Sequence, residues 1–152
     1  MIAAIRLRGR TGIKKDVAQT LDMLKLTRIN HAVLIEDNPS YNGMLQKAKD
    51  YITWGEVDQE TIKEILSKRG KIAGNNKLTE DYLKESTDFS SIDDLSKALI
   101  DSEVKLEDNG VKPVFRLHPP RKGHGNIKKT FVESGSLGYR GDKIKDLIKK
   151  MI

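Results

Sequence analysis

The chain contains no cysteine among its 152 residues. Disulfide bonds, cysteine-ligated zinc and thiol chemistry are therefore excluded together. Histidine is also scarce, because the whole chain has three. His118 and His124 lie in a proline- and glycine-rich segment without a nearby acid, a setting that does not favour a metal site. We expect no metal and no other cofactor.

Long hydrophobic runs are absent as well. No apolar stretch approaches the ~20 residues that a membrane-spanning helix needs, and the first residues do not form the charged leader and apolar core of a signal peptide. We therefore expect a cytoplasmic protein without a membrane partner. Hydrophobic residues make up 37% of the chain, which predicts one foldable domain with a small core.

Acidic residues are missing from two segments that lie far apart, residues 1–15 and residues 109–132. Both segments are rich in lysine and arginine. Residues 77–108 have the opposite balance, with ten acids against four lysines and a local net charge of −6. The overall charge of +6 is therefore segregated, which predicts a basic face suited to a polyanionic partner. The alternative is the solvated surface of an ordinary basic protein.

Sequence motifs for catalysis are absent too. There is no G-x-S-x-G sequence, and the serines of SGSLG lie among glycines that indicate a loop rather than a nucleophile elbow. The acidic pairs Glu36-Asp37 and Asp93-Asp94 lie at element ends or on polar faces, where helix capping and solvation explain them. His31 begins a predicted strand, which favours a solvent-facing or hydrogen-bonded side chain. We expect no enzymatic activity and no small-molecule substrate.

The chain does contain a basic loop, RLRGRTGIKK, at residues 6–15. It combines three arginines, two lysines and two glycines with a predicted helix start. Such an arrangement binds phosphate with low specificity. The glycine spacing matches neither a P-loop nor a dinucleotide-binding fingerprint. Many phosphates along one backbone would suit this loop as well as a single nucleotide.

The first 70 residues alternate between strand and helix patterns. Short apolar or β-branched runs predict strands at residues 2–8, 31–36 and 51–57. Apolar spacing and capping residues predict helices that begin near Lys14, after Asn38 and after Asp58, the last ending at Gly70. The order β-α-β-α-β-α predicts a small α+β sandwich with helices packed on one face of a sheet.

An acidic lobe and an edge strand follow in the predicted order. The acidic region holds two short predicted helices, one capped at Thr79 and one that begins near Ser91. Residues 111–118 are expected to form an edge strand, because Pro113 cannot donate a hydrogen bond to a ladder.

The last part of the chain is predicted to be two loops and a helix. The cationic stretch HPPRKGHGNIKKT, at residues 118–130, has one aliphatic residue and no acid, so we expect a loop tethered at both ends that becomes ordered on a partner. The glycine-rich residues 134–141 are expected to be a second loop. Residues 142–152 have the apolar spacing of an amphipathic helix.

Three further residues leave alternatives open. Gly43 lies inside a predicted helix, which indicates close packing or the close approach of a partner. Trp54 ends a predicted strand and is either a core residue or a stacking surface for a base. Tyr139 either anchors the final helix or stacks on a base.

The stretch LKLTRINHAVLIEDNPSYNGMLQKAKDYI, at residues 24–52, resembles the ribosomal protein L-thirty family of the large subunit. The first strand and the Gly12 loop precede it as that family expects. Residues 1 to about 57 correspond to a bacterial member, and the longer chain, with FRLHPPRKGHGNIKKTFVESGSLGYRGDKI, resembles the archaeal form. The matching positions are Leu24, Leu26, Arg28, Asn30, Val33, Asp37, Pro39, Gly43, Met44 and Lys47.

The resemblance implies a small ferredoxin-like β-α-β-α-β sandwich core at residues 1–70 with an inserted acidic helical lobe at 71–110. A basic C-terminal extension at 111–152 would supply an edge strand, an RNA-binding loop and a helix packed on the core. The implied function is that of a structural constituent of the large ribosomal subunit, which supports subunit assembly and translation without catalysis or a cofactor. The expected partners are large-subunit ribosomal RNA of the 23S type, near the 5S RNA, and neighbouring ribosomal proteins.

The basic segments and the resemblance together indicate which residues contact RNA. Lysine supplies a point charge to phosphate, and arginine adds a planar fork and a stacking surface. The candidates are Arg6, Arg8, Arg10, Lys14, Lys15, Arg28, Lys47, Arg116, His118, Arg121, Lys122, His124, Lys128, Lys129 and Arg140.

Two other functions remain as alternatives. A free RNA-binding regulator on the same fold would have the same basic residues. A small enzyme acting on a phosphorylated metabolite would use the GRTGIKK loop at the predicted helix start. It would leave residues 116–130 without a task.

Overall fold

A six-stranded mixed sheet forms the centre of the fold in the computed structural model, which describes residues 1–152. The strands are β1 (Ile2–Arg6), β2 (His31–Ile35), β3 (Ile52–Glu56), β4 (Val114–Arg116), β5 (Asn126–Thr130) and β6 (Gly135–Tyr139). Their order in the sheet is β4-β2-β1-β3-β6-β5. The pairs β1–β2, β1–β3 and β2–β4 are antiparallel, whereas β6 is parallel to both β3 and β5.

Six α-helices and four short 3₁₀ turns surround this sheet. The helices are α1 (Lys15–Met23), α2 (Pro39–Lys47), α3 (Gln59–Arg69), α4 (Glu80–Ser86), α5 (Ile92–Ile100) and α6 (Ile144–Met151). The 3₁₀ turns are Ala73–Asn75, Glu107–Asn109, Phe131–Glu133 and Gly141–Lys143. No helix combines the length and the apolar character that crossing a bilayer requires. The predicted α+β class is confirmed.

Apolar side chains are buried on both faces of the sheet. On one face, Ile2 packs in a cluster with Leu21 of α1 and with residues of α2. On the other face, Ile5 belongs to a larger cluster with Ile65 of α3 and Ile148 of α6. The expectation of helices on one face is therefore wrong. The run IAAI in β1 lacks polar alternate positions because neither face of this central strand meets solvent.

Capping side chains begin four of the helices where the sequence predicted them. Asn38 and Asp58 accept hydrogen bonds from backbone N–H groups in the first turns of α2 and α3, both at 2.9 Å. Thr79 and Ser91 do the same for α4 and α5. Pro39 occupies the first position of α2, where its missing N–H costs nothing.

The acidic lobe packs on the body of the protein through apolar residues. Leu83 of α4 and Leu95 of α5 are fully buried and belong to the same cluster as Ile5 of the central strand. Most acidic side chains of residues 77–108 lie on the outer surface of α4, α5 and the turns beside them. The lobe therefore shares the hydrophobic core of the sheet while it presents an acidic exterior.

The C-terminal part of the sheet differs from the sequence prediction. β4 lies at an edge, as Pro113 indicated. The second half of the predicted cationic loop, however, forms β5 at the other edge, and the predicted glycine-rich loop forms β6. The loop assignments for residues 126–130 and 135–139 are wrong. β5 is exposed along its length and has no hydrophobic alternation, so tertiary pairing decides its conformation rather than local propensity.

Arg140 holds β6 against β3. Its Nε donates to the hydroxyl of Thr53 at 2.9 Å, and its Nη2 donates to the carbonyl of Ser136 at 2.7 Å. The guanidinium also stacks over the ring of Phe131, with 4.8 Å between Cζ and the ring centroid. Burial lowers the pKa of Arg140 from its usual value. Arg140 is thus occupied within the fold, in contrast to its predicted role as an RNA ligand.

Gly55 allows the backbone after β6 to lie directly on β3. A Cβ atom at this position would stand 2.1 Å from the carbonyl oxygen of Gly141. The position of a Cβ atom is fixed by its own backbone, and the oxygen of Gly141 is itself a backbone atom. Neither atom could therefore move away without shifting β3 or the turn after β6. The absence of a side chain at Gly55 is therefore a packing requirement.

Leu21 tests the packing of α1, because its side chain is fully buried against the sheet. Truncation of Leu21 to alanine should lower the free energy of unfolding by about 2–5 kcal/mol, through lost burial and the cavity left behind. The measurement is a urea titration of the purified variant.

Met23→Ala is the matched control, since Met23 lies on the same helix and is 70% exposed. Its effect should stay within about 0.5 kcal/mol. Equal effects of the two substitutions would show that the register of α1 is incorrect.

Candidate nucleic-acid interface

The strand directions bring several basic segments to one end of the sheet. Because β1 is antiparallel to β2 and β3, its C-terminal end lies beside the starts of both neighbours. β4 is antiparallel to β2, and Arg116 at its end lies opposite His31. The loop after β1, the approach to β2 and the segment after β4 therefore meet. We name this surface, formed by residues 8–15, 28–31 and 116–130, the cationic end.

β5 lies at the cationic end as well. Gly138 of β6 lies opposite Thr53 of β3, and Leu137 lies opposite Thr130 of β5. β5 therefore flanks the residues that immediately precede β3. Lys128 and Lys129 extend the basic surface to this edge of the sheet.

The opposite end of the sheet is acidic. Glu36 and Asp37 follow β2, while Glu56 ends β3 and Asp58 caps α3. Hydrogen bonding from Thr61, with a further contribution from Lys145, holds the pKa of Asp58 well below its usual value. With a rise of about 3.3 Å per strand residue, the first and last Cα atoms of a five-residue strand are about 13 Å apart. The sheet therefore separates the two signs of charge.

The HPPRK segment is fastened to the C-terminus of α6. The backbone N–H of His118 donates to the carbonyl of Met151 at 2.8 Å, and that of Arg121 donates to the carbonyl of Lys150 at 3.0 Å. Pro120 between them is buried. These bonds satisfy carbonyls of the last helical turn, which lack partners within the helix. They leave the side chains of His118 and Arg121 exposed.

Arg6 does not lie at the surface, in contrast to its predicted role in RNA binding. Its side chain is 1% exposed and donates to the carbonyls of Arg8, Gly9 and Leu26 at 2.8, 3.2 and 2.6 Å. Burial, and then the nearby Arg10, lowers the pKa of Arg6 from its usual value. The guanidinium joins the loop after β1 to the segment before β2. Arg6 therefore supports the cationic end from beneath.

Three other candidate cations have partners within the chain. Arg8 donates to the carbonyl of Asp50 at 3.1 Å and lies over the ring of Tyr51. Arg10 forms an ion pair with Asp22, and Lys47 forms one with Asp16 at 3.8 Å. Both ion pairs are solvent-exposed, and such pairs contribute little to stability. A phosphate could therefore replace either carboxylate with little loss of folding stability.

The remaining predicted lysines and arginines have neither ion pairs nor side-chain hydrogen bonds. All of them are exposed, and all belong to the cationic end or to the start of α1. They are Lys14, Lys15, Arg28, Arg116, Arg121, Lys122, Lys128 and Lys129.

Two histidines, His31 and His124, have pKa values below the usual range. His31 begins β2, and its Nδ1 lies 3.3 Å from the hydroxyl of Thr27, as the hydrogen-bonded alternative predicted. Burial lowers its pKa, and Arg116 and Arg28 lower it further. Burial and Arg140 lower the pKa of His124, whose ring nitrogens are buried without a hydrogen-bond partner. Burial is the larger cause of both shifts, and the neighbouring arginines add to it, so protonation of both imidazoles is disfavoured.

The open alternatives for Trp54, Tyr139 and Gly43 are narrowed. Trp54 is 5% exposed and belongs to the core, so it is not a stacking surface for a base. Tyr139 is half exposed, and its hydroxyl donates to the carboxylate of Glu56 at 2.8 Å. This bond joins β6 to β3 rather than holding the final helix, and stacking of Tyr139 on a base stays a prediction. Gly43 has open space around it, so close packing within the chain does not explain it, and approach of a partner remains a prediction.

The sequence does not show that Lys149 and Lys150 lie beside the cationic end. Both are exposed in the last turn of α6, next to the HPPRK backbone. The sequence showed them only as the polar face of an amphipathic helix. Their position depends on the parallel pairing of β6 with β3, which directs α6 back toward the cationic end. No local sequence signal contains that information.

Arg6 generates a stability prediction. Arg6→Gln should lower the free energy of unfolding by about 1–3 kcal/mol, because glutamine cannot serve all three carbonyls and a buried one loses its donor. Urea titration of the full chain measures this loss.

Arg116→Gln provides the control, since that arginine is exposed and unpaired. Its effect should stay within about 0.5 kcal/mol. A neutral Arg6→Gln would mean that the guanidinium does not hold the two loops together.

Comparisons with known proteins agree with the geometry. The family model for ribosomal protein L30p/L7e matches residues 2–52. Over the full length of both chains, the sequence is 61% identical to large ribosomal subunit protein uL30 of Methanobrevibacter smithii and 60% identical to that of Methanosphaera stadtmanae. It is 50% identical to uL30 of Thermoplasma volcanium, across the whole of this chain and 93% of that relative. The chain therefore belongs to the uL30 family of large ribosomal subunit proteins.

Proposed function

We propose that this chain is a structural constituent of the large ribosomal subunit and binds large-subunit ribosomal RNA through its cationic end. The observation that carries the proposal is the convergence of the two acid-free segments on one end of the sheet. Eight exposed cations without internal partners lie there, and the nearby acids Asp16 and Asp22 are in exposed ion pairs with Lys47 and Arg10. Membership of the uL30 family supports the same function.

Contacts between basic side chains and RNA phosphates are expected to supply most of the binding affinity. An unpaired lysine or arginine that meets a backbone phosphate releases condensed counterions, and this release makes the affinity salt-dependent. Arg10 and Lys47 exchange their exposed carboxylate partners for phosphate. Arg6 and Arg140 stay within the protein, and His124 is left out of the proposed set because both of its ring nitrogens are buried. The proposed RNA ligands are Arg8, Arg10, Lys14, Lys15, Arg28, Lys47, Arg116, His118, Arg121, Lys122, Lys128 and Lys129.

The cationic segment 118–130 is suited to this task because it has few apolar side chains, with Ile127 as its one aliphatic residue. Its exposed positions contribute nothing to the core, and its backbone is fixed by α6 at one end and by β6 at the other. RNA then meets side chains whose main chain is already positioned. The entropy lost on binding falls mainly on the lysine and arginine side chains.

The acidic lobe faces away from the RNA in this proposal. Its outer surface would be repelled by a phosphate backbone. A neighbouring ribosomal protein with a basic segment is the partner that its charge favours. The three chain regions 1–70, 71–110 and 111–152 then act as a core, an outward lobe and an RNA-binding extension that share one hydrophobic cluster.

Cosedimentation tests the assignment to the ribosome. The chain should migrate with large subunits at moderate salt, at about one copy per subunit, and leave them in high salt as phosphate contacts weaken. A chain found only in the post-ribosomal supernatant would instead indicate a free RNA-binding protein and would overturn the proposal.

Charge reversal at the cationic segment tests the site. Arg121→Glu and Lys128→Glu should each weaken binding to purified large-subunit RNA and reduce the slope of log affinity against log salt by about 1. The free energy of unfolding should stay within about 0.5 kcal/mol of wild type, because both side chains are exposed. Filter binding across a salt series and urea titration measure the two quantities.

Lys84→Glu is the matched control, because it makes the same change in net charge on the exposed surface of the acidic lobe. It should leave the salt slope unchanged. If all three variants lose affinity equally, net charge rather than the cationic end determines binding.

A further inference from the structure

A polar notch lies along the outer side of β4, next to the cationic end. Its volume is about 340 Å³, and one of its ten lining residues is hydrophobic. Four cationic side chains line it, namely Lys25, Lys71, Lys112 and Arg116. Of these, only Arg116 belongs to the RNA-binding set proposed above.

Three separate parts of the chain build the notch. Arg116 lies opposite His31 in the pairing of β4 with β2, which brings the segment before β2 to one wall. The backbone N–H of Lys112 donates to the carbonyl of Lys71 at 2.8 Å and joins the other wall to the start of β4. The Nζ of Lys112 donates to Oδ1 of Asn75 at 2.8 Å, which fixes the direction of that side chain.

The charge of the notch is not balanced from within. Lys71, Lys112 and Arg116 form no ion pair. Lys25 is paired with Glu107 outside the notch, and Asp22, the one acid in the lining, is paired with Arg10. A concave surface that holds several cations focuses positive potential and attracts an anion.

The lining indicates which anion is bound. Lysine and arginine donors with a neighbouring hydroxyl and amide are suited to phosphate oxygens. The notch has no phenylalanine, tyrosine or tryptophan, so it offers no such platform for stacking a nucleobase. It also continues directly into the cationic end through Arg116. These features favour a phosphate of a passing backbone over a free nucleotide.

We propose that this notch seats a backbone phosphate of the large-subunit RNA that crosses the cationic end, with Lys71 and Lys112 as its principal ligands. This inference rests on the proposed function and adds a contact at the β4 edge, opposite the edge formed by β5. The RNA contacts of the protein then extend to both edges of the sheet.

The double variant Lys71→Gln/Lys112→Gln tests the inference in the full-length chain. The probe is purified large-subunit ribosomal RNA, and filter binding gives the affinity between 50 and 200 mM KCl. Loss of one phosphate contact should reduce the log–log salt slope by about 0.7–0.9. The melting temperature should not fall, because both changes remove like charges from one concave surface.

Lys84→Gln/Lys97→Gln is the control, since it removes the same charge from exposed positions on α4 and α5. Its slope should equal that of wild type. If wild type binds the RNA and the notch variant keeps the wild-type slope, the inference is overturned while the proposed function stands. Failure of wild type to bind the RNA would overturn the proposed function itself.

A second arm separates backbone phosphate from a free anion. Inorganic phosphate is titrated at constant ionic strength while the melting temperature is measured. A saturable rise in wild type that the notch variant lacks, together with an unchanged RNA slope, would assign the notch to a small anion and overturn the proposal. A reduced RNA slope in the notch variant supports it.

Discussion

The antiparallel pairing of β1 with both of its neighbours is the constraint on which the cationic end depends. It places the end of β1 beside the starts of β2 and β3, and the pairing of β4 with β2 adds Arg116 to the same end. If β1 were parallel to its neighbours, the basic loop after it would lie at the other end, beside Glu36 and Glu56. The separation of charge thus follows from strand direction and needs no long-range contact between the basic segments themselves.

Concentrating cations at one end creates repulsion that the fold must tolerate without its partner. Arg6 donates hydrogen bonds to three backbone carbonyls beneath the surface. These bonds hold two loops in place although no acidic side chain pairs with Arg6. The carbonyls at the C-terminus of α6 fix the HPPRK segment in the same manner. Backbone carbonyls therefore accept the hydrogen bonds that hold these segments, in place of acidic side chains. The surface keeps its positive charge for a polyanion.

Local signals predicted much of the fold. The caps at Asn38 and Asp58, the edge position implied by Pro113 and the amphipathic pattern of α6 each depend on neighbouring residues, and all are confirmed. β5 and β6 were missed because NIKKT and GSLGY gain their conformation from pairing with distant strands. The roles of Arg6 and Arg140 were missed for a related reason. The sequence identifies an arginine only as a basic residue. The folded structure is needed to show that its N–H groups already donate to acceptors within the protein.

Crosslinking of RNA to protein within intact large subunits, mapped to single residues, tests the central claim most directly. The account predicts crosslinks at residues 8–15, 28, 47 and 116–130, around one end of the sheet, together with Lys71 or Lys112 at the β4 edge. It predicts none on the outer surface of α4 and α5. Crosslinks concentrated on residues 80–108, or around Glu36 and Asp58 at the acidic end, would contradict it.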